Sequence, residues 1–165
     1  MYTIRTTVTT TTIGTVIAQL WNPHATARIT VVEFFILFNA TPGADSAVSF
    51  VATNTRGTPG STDTPSIIHH SQCAIAPPSG VLLDKAPFSV MPAVAGDLDT
   101  GWYLRVRAGS GILRRINHLI VPGHGLGLWQ LVATAGYYDL GFSWYEESAP
   151  IIISGGDFPT VQRPQ

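Results

Sequence analysis

The chain has 165 residues, a usual length for one domain and enough to bury a core without a metal ion or a disulfide. Hydrophobic residues make up 45% and charged residues only 12%, a composition that excludes a disordered chain and a long solvated helix. The net charge is −1 and Lys85 is the one lysine, so the sequence lacks the basic stripe of a nucleic-acid-binding protein. With so few charges, we expect a partner to cover part of the surface.

Short runs of β-branched and aromatic residues, separated by Gly- and Pro-containing turns, predict an all-β chain. In chain order the predicted strands cover residues 2–12, 14–21, 28–38, 47–56, 67–74, 81–90, 102–108, 112–121, 125–134 and 137–145. The apolar spacing in 112–121 also fits a helix. Many short strands at regular spacing are typical of an antiparallel β-sandwich or a barrel.

Two of the predicted strands are apolar on both faces. In residues 28–38, one face carries Ile29, Val31, Glu33, Phe35 and Leu37, and the other carries Val32, Phe34, Ile36 and Phe38. Residues 125–134 alternate in the same way, with Trp129 and Leu131 on the second face. A sandwich buries only one face of each sheet, so the second face needs a loop, an arm or another subunit to cover it.

The two ends of the chain predict extended arms around a central sandwich domain at residues 14–147. Residues 1–13 are rich in threonine and form an arm or edge strand, with Tyr2, Ile4 and Val8 on one face. Residues 148–165 form a C-terminal arm in which Pro and Gly surround Ile152 and Phe158. If the first segment is an arm, deleting residues 1–12 leaves the sandwich folded and weakens attachment to a partner.

One triplet resembles a catalytic motif. Asp99-Thr100-Gly101 is similar to the Asp-Thr-Gly of aspartic proteases, in which each of two chains contributes one carboxylate. The bulky Trp102 follows the glycine, where that family has a small residue, and Asp97 and Asp99 lie in a predicted turn. A dimeric protease that uses Asp99 is therefore a remote alternative.

His69, His70 and Cys73 are the candidates for a metal site. Adjacent histidines on a strand point to opposite faces and do not easily bind one ion, so we predict no metal and no cofactor and leave the role of these residues open. Cys73 is the single cysteine, which excludes an internal disulfide. The sequence has neither a signal-peptide pattern nor a membrane-spanning apolar run, which predicts synthesis in the cytoplasm and no membrane partner.

Several runs resemble small structural proteins of tailed bacteriophages: VIAQLWNP (16–23), RITVVE (28–33), RGTPGS (56–61), PPSG (77–80) and IVPGHGL (120–126). The resemblance is to head decoration (cement) proteins and covers residues 14–147. It implies an antiparallel jelly-roll-like β-sandwich, usually a trimer seated between capsomers, with no catalytic residues. It further implies a location on the capsid surface of the virion, after synthesis in the host cytoplasm, and the major capsid protein as partner.

The sequence therefore predicts a capsid decoration protein that is not an enzyme and that forms a homotrimer. The predicted protein contacts are made by Tyr2, Ile4, Val8, Phe34, Ile36, Trp129, Ile152 and Phe158. The alternative is a β-sandwich module of the phage fibre or adhesin type that binds a receptor or a carbohydrate through Trp21 or Trp129.

Overall fold

A computed structural model describes residues 1–9, 11–64, 79–97, 103–132 and 134–147. Over these residues the chain forms eleven β-strands and no helix, so the predicted all-β antiparallel fold is confirmed there. The strands are β1 (Tyr2–Thr9), β2 (Val16–Trp21), β3 (Arg28–Ala40), β4 (Asp45–Thr53), β5 (Ser61–Asp63), β6 (Leu82–Lys85), β7 (Val94–Asp97), β8 (Tyr103–Arg107), β9 (Gly111–Ile120), β10 (Gly125–Val132) and β11 (Gly136–Glu147). The short strands β5 and β7 were not predicted, and the ambiguous segment 112–121 lies mainly in β9.

The strands form two sheets that pack face to face. Sheet A has four strands in the order β1-β11-β3-β9. Sheet B has the order β5-β6-β2-β10-β4, and both β7 and β8 pair with β4. Because β1, β3, β9 and β11 alternate along the chain with strands of sheet B, the chain crosses repeatedly between the two layers.

The core lies between the sheets and is rich in aromatic side chains. Phe34 on β3 meets Phe50 on β4 edge-to-face, with ring centroids 4.8 Å apart. Pairs of this geometry contribute about 0.5–1.5 kcal/mol beyond their buried area. The buried hydroxyl of Tyr138 bonds to Ser46, which links β11 to β4, and burial raises the pKa of Tyr138 despite this bond.

A bulge in β3 corrects the predicted faces of residues 28–38. In a regular strand, the side chains of Ile29 and Val31 would lie on one face and that of Phe34 on the other. The pairing of β3 shifts between Val31 and Glu33, and one extra residue reverses the alternation of side chains. The buried side chains of β3 are Ile29, Val31, Phe34, Ile36 and Phe38. The outward side chains include Glu33, Phe35 and Leu37.

The outer side of sheet B is covered in part by the chain itself. Val16, Val51 and Phe88 form a small second cluster, and the half-buried Trp129 packs against it. The segment around Phe88 is held by backbone hydrogen bonds between Thr58 and residues 89–90. At Trp129, the second apolar face of residues 125–134 is therefore covered by a loop of the same chain.

The first segment is an edge strand of sheet A. Its pairing with β11 runs in register from Tyr2 opposite Trp144 to Thr9 opposite Tyr137. The predicted alternation holds, because Tyr2, Ile4 and Val8 share the buried face of the strand. Several predictions lie outside the described residues: the strand at 67–74, the C-terminal arm with Ile152 and Phe158, the triplet at Asp99, and the group His69, His70 and Cys73.

Candidate functional site

The outer face of sheet A carries several exposed apolar side chains. Leu113 is 67% exposed and Leu119 is 46% exposed, although both are large hydrophobic residues on a paired strand. On the neighbouring strand, Phe35 lies opposite Leu113, and both Phe35 and Leu37 are half-buried. We call this surface the A face, and its apolar side chains are Phe35, Leu37, Leu113, Leu119, Tyr137 and Tyr145.

The centre of the A face is a row of four paired residues. Arg5, Gly141, Phe35 and Leu113 lie side by side across the four strands. Gly141 has no side chain, so the stem of Arg5 lies over it, and its Cγ is 3.4 Å from where a Cβ would stand. The Arg5 guanidinium carbon is 5.7 Å from the centre of the Phe35 ring, a cation–π contact.

One end of the A face carries a fixed carboxylate. Asp139 Oδ1 accepts a hydrogen bond from Thr7 Oγ1 at 2.7 Å, and Asp139 Oδ2 accepts one from Asn39 Nδ2 at 2.8 Å. Tyr137 is opposite Asn39 in the pairing and is 45% exposed. An aromatic ring therefore lies next to polar atoms that are held in place, and this end can bind a polar group of a partner.

The other end of the A face carries charges of both signs. Glu33 on β3 is opposite Arg115 on β9. These two residues line a shallow depression together with Tyr145 and Asn117. Asn117 has a positive φ of 42° at the irregularity in the pairing of β9 with β3, a conformation that asparagine tolerates better than most residues.

A second cluster surrounds Glu146 at the end of β11. Its Oε1 accepts hydrogen bonds from the Ser79 hydroxyl and from Trp144 Nε1, and its Oε2 is 3.6 Å from His24 Nε2. This arrangement is not a catalytic triad, in which the histidine lies between the serine and the acid, because Ser79 and His24 each lie directly against the carboxylate. Burial, with the Glu146 charge, raises the pKa of Tyr2, which stacks on Trp144. The cluster ties two loops to β11.

A third cluster is an ion pair on sheet B between a buried carboxylate and a partly exposed arginine. Asp84 is fully buried, and Arg56 binds it with Nε at 2.7 Å and Nη2 at 2.8 Å. Thr62 Oγ1 donates a third hydrogen bond to Asp84 at 2.6 Å. The hydrogen bonds to Asp84 raise the pKa of Arg56, and the negative charge of Asp84 raises it further. Together they outweigh burial, which alone would lower this pKa. The pair holds β6 to the loop before β5.

The structure places five of the eight predicted contact residues in the core. Tyr2, Ile4, Val8, Phe34 and Ile36 are between 0% and 8% exposed and pack between the two sheets. In this conformation their side chains contact the same chain. That β1 contacts a partner through its outward edge stays a prediction.

Sequence reasoning missed the open residues for a local reason. Phe35 and Leu37 were assigned to the same face as Ile29 because the bulge in β3 leaves no mark in the hydrophobic pattern. A signal was available in residues 112–121, because the alternation of a strand places Leu113 and Leu119 on the face opposite to that of Ile112, Ile116 and Ile120.

The described residues contain no group of three His, Cys, Asp or Glu side chains that could hold a metal ion. Nor do they include a helix long and apolar enough to cross a membrane. No protein-family model matches the chain, and neither the curated proteins nor the solved structures gave a significant match.

Proposed function

We propose that this chain is a structural protein of the virion, a non-enzymatic decoration (cement) protein on the head of a tailed bacteriophage. It is made in the host cytoplasm, forms a homotrimer and binds the major capsid protein at the capsid surface. The observation that carries the proposal is the set of exposed apolar side chains on the A face, because large exposed hydrophobic residues on one face of a sheet favour a role in assembly.

The strand order supports a jelly roll. Eight strands form the two sheets of the sandwich: β1, β3, β9 and β11 lie in sheet A, and β2, β4, β8 and β10 lie in sheet B. The strands β5, β6 and β7 are additions between β4 and β8. Counted along these eight, the first pairs with the last, the second with the seventh, the third with the sixth and the fourth with the fifth. Such nested pairing is typical of a jelly roll and supports this proposal, since viral capsid and lectin domains use that architecture.

The mechanism is multivalent attachment. A trimer presents three copies of each capsid-binding surface, and after the first contact the other two bind at a high effective concentration. Small contacts then give firm attachment without an enzyme-like site. Bridging of neighbouring capsid subunits would raise the temperature at which the shell breaks apart.

Co-sedimentation tests the proposal. Purified protein is mixed with shells assembled from the major capsid protein of the same genome, and the pelleted fraction is measured against protein concentration. We expect saturable binding at a fixed ratio to capsid subunits and a higher disruption temperature of the shells. Protein that stays in the supernatant at all concentrations refutes the proposed function.

A carbohydrate- or receptor-binding module is the second candidate, and one observation favours it. Tyr137 is exposed beside the fixed Asn39–Asp139 pair, and sugars are commonly bound by an aromatic ring flanked by such polar groups. Trp129 suits that role less well, because it packs against the cluster on sheet B. Glycan binding that is lost in Tyr137→Ala and kept in Tyr103→Ala would favour this candidate.

A further inference from the structure

We infer that the occupant of the A face is a second copy of this chain. The inference rests on the homo-oligomer in the proposed function and names its interface. The contact is assigned to the outward side chains of sheet A, because most of the residues predicted to make it are buried in the core.

The size of the A face fits a contact between copies. Four strands about 4.8 Å apart, each with about ten residues rising about 3.3 Å, give a flat area of roughly 600 Å². The relief of the side chains adds to this value. A standard stable interface buries about 800 Å² on each partner. The A face therefore offers nearly the area that one copy needs to bind another.

The charges on the A face favour a copy over other partners. Arg5 and Arg115 balance Glu33 and Asp139, whereas nucleic acids and anionic membranes attract an excess of positive charge. Among the described residues, none of these four side chains forms an ion pair within the chain. Two copies of a face with a large net charge would repel each other, whereas the balanced charges of the A face allow each charged side chain to meet one of opposite sign on another copy.

The rest of the sandwich supports this choice of face. The outer side of sheet B carries the cluster of Val16, Val51 and Phe88 under a segment of the same chain. Among the described residues, the outward apolar side chains of sheet A remain more exposed, with Leu113 at 67% and Leu119 at 46%. Burying Leu113 and its neighbours against a second copy would remove this apolar surface from water, which favours association.

A matched pair of double variants tests the inference. Leu113→Glu with Tyr145→Glu places two charges on the A face, at residues that are 67% and 48% exposed. Ile13→Glu with Tyr103→Glu makes the same changes at residues that are 58% and 50% exposed, in the β1–β2 turn and on sheet B. Size-exclusion chromatography with light scattering gives the mass, and circular dichroism checks that each variant has the wild-type β spectrum.

We expect the wild type and the control variant to have a multiple of the chain mass. The A-face variant should have the mass of one chain, with association weakened by more than about tenfold. If the double variant loses the β spectrum, Leu113→Ser alone replaces it, with Ile13→Ser as control. A monomeric wild type at micromolar concentration overturns the inference, as does an A-face variant that associates as well as the control.

Shell binding separates this inference from the proposed function. If the A-face variant stays oligomeric but no longer binds shells, the face binds capsid protein, and the inference fails while the proposed function stands. If the variant dissociates as expected but not even the wild type binds shells, the inference stands and the proposed function fails.

Discussion

The Thr6 hydroxyl on β1 lies 2.5 Å from Asp63 Oδ2 on β5 and joins the edge strands of the two sheets. Lys85 Nζ is 2.7 Å from the same carboxylate oxygen and 3.1 Å from Thr6 Oγ1. Three polar side chains thus meet on one side of the sandwich, where edge strands from different layers come together. Each is partly buried, so their hydrogen bonds are less exposed to competing water than those of a surface pair.

This contact predicts a dependence of stability on pH. Burial alone would raise the pKa of Asp63, but hydrogen bonds from Lys85 and Thr6 and the Lys85 charge outweigh it, so the pKa lies below its usual value. A lowered pKa in the folded state stabilises the protein above the unfolded pKa, about 3.9, and this stabilisation is lost as the pH falls through the folded value. At pH 7 we expect Asp63→Asn to lower the free energy of unfolding by about 1 kcal/mol.

Urea unfolding of wild type and Asp63→Asn at several pH values checks this. The difference between the two proteins should shrink as the pH is lowered below about 4. Lys85→Met should show the same trend, because it removes the other half of the ion pair. A difference that stays constant from pH 7 to pH 3 would contradict the assigned role of Asp63.

The ion pair of Arg56 with the buried Asp84 carboxylate predicts a larger effect. Arg56→Met leaves the fully buried Asp84 carboxylate with Thr62 as its remaining side-chain donor, which should cost about 3 kcal/mol. The control is Arg105→Met, which breaks an exposed pair with Asp45 and should cost less than about 1 kcal/mol. Chemical unfolding measures both values. If the two variants lost the same free energy of unfolding, burial of the Asp84 carboxylate would not be the cause of the effect.

A close approach at Gly125 predicts that this position accepts no side chain. A Cβ there would lie 2.7 Å from Thr53 Oγ1 and 2.9 Å from Gln19 Nε2, in a layer of buried polar groups. Gly125→Ala should therefore destabilise the protein by about 1–3 kcal/mol through overpacking. Gly96→Ala is the control, because a Cβ at Gly96 meets nothing within 4 Å. A thermal melt of both variants tests this, and equal melting temperatures would contradict it.

The sequence predicted local features of the fold better than long-range ones. The alternation in β1 and β11 assigned the right faces to Ile4 and Leu140, because both strands are regular. The faces of β3 were wrong because a bulge depends on the pairing with β9 and β11, which the hydrophobic pattern of one strand does not encode. The clusters at Asp84 and Glu146 join residues far apart in sequence, and no spacing rule brings such residues together.

The position of the A face could be predicted only in part. Residues 28–38 were expected to have a second apolar face, and β3 does carry one. Its members differ, since Phe35 faces out and Ile29 faces in. The threonine pattern of residues 1–13 fitted an arm and an edge strand equally well, because both are extended and the same alternation suits each.

The last prediction concerns β1. Tyr2, Ile4 and Val8 are buried, and each such side chain contributes about 1.5–3 kcal/mol, a large share of the roughly 5–15 kcal/mol that stabilises a domain. Deleting residues 1–9 should therefore abolish cooperative unfolding or lower its midpoint strongly, in contrast to what a free arm would do. The deletion also exposes the edge of β11 and removes Thr6 from its contact with Asp63.

Point variants separate loss of the core from loss of the strand. Ile4→Ala removes a buried side chain and should cost about 2–5 kcal/mol, whereas Thr9→Ala on the exposed face of β1 should stay within about 0.5 kcal/mol. Urea unfolding at pH 7 measures both free energies. If the deletion and Ile4→Ala leave the unfolding midpoint unchanged while binding to shells falls, β1 acts as a detachable arm, and its pairing with β11 does not hold the domain together.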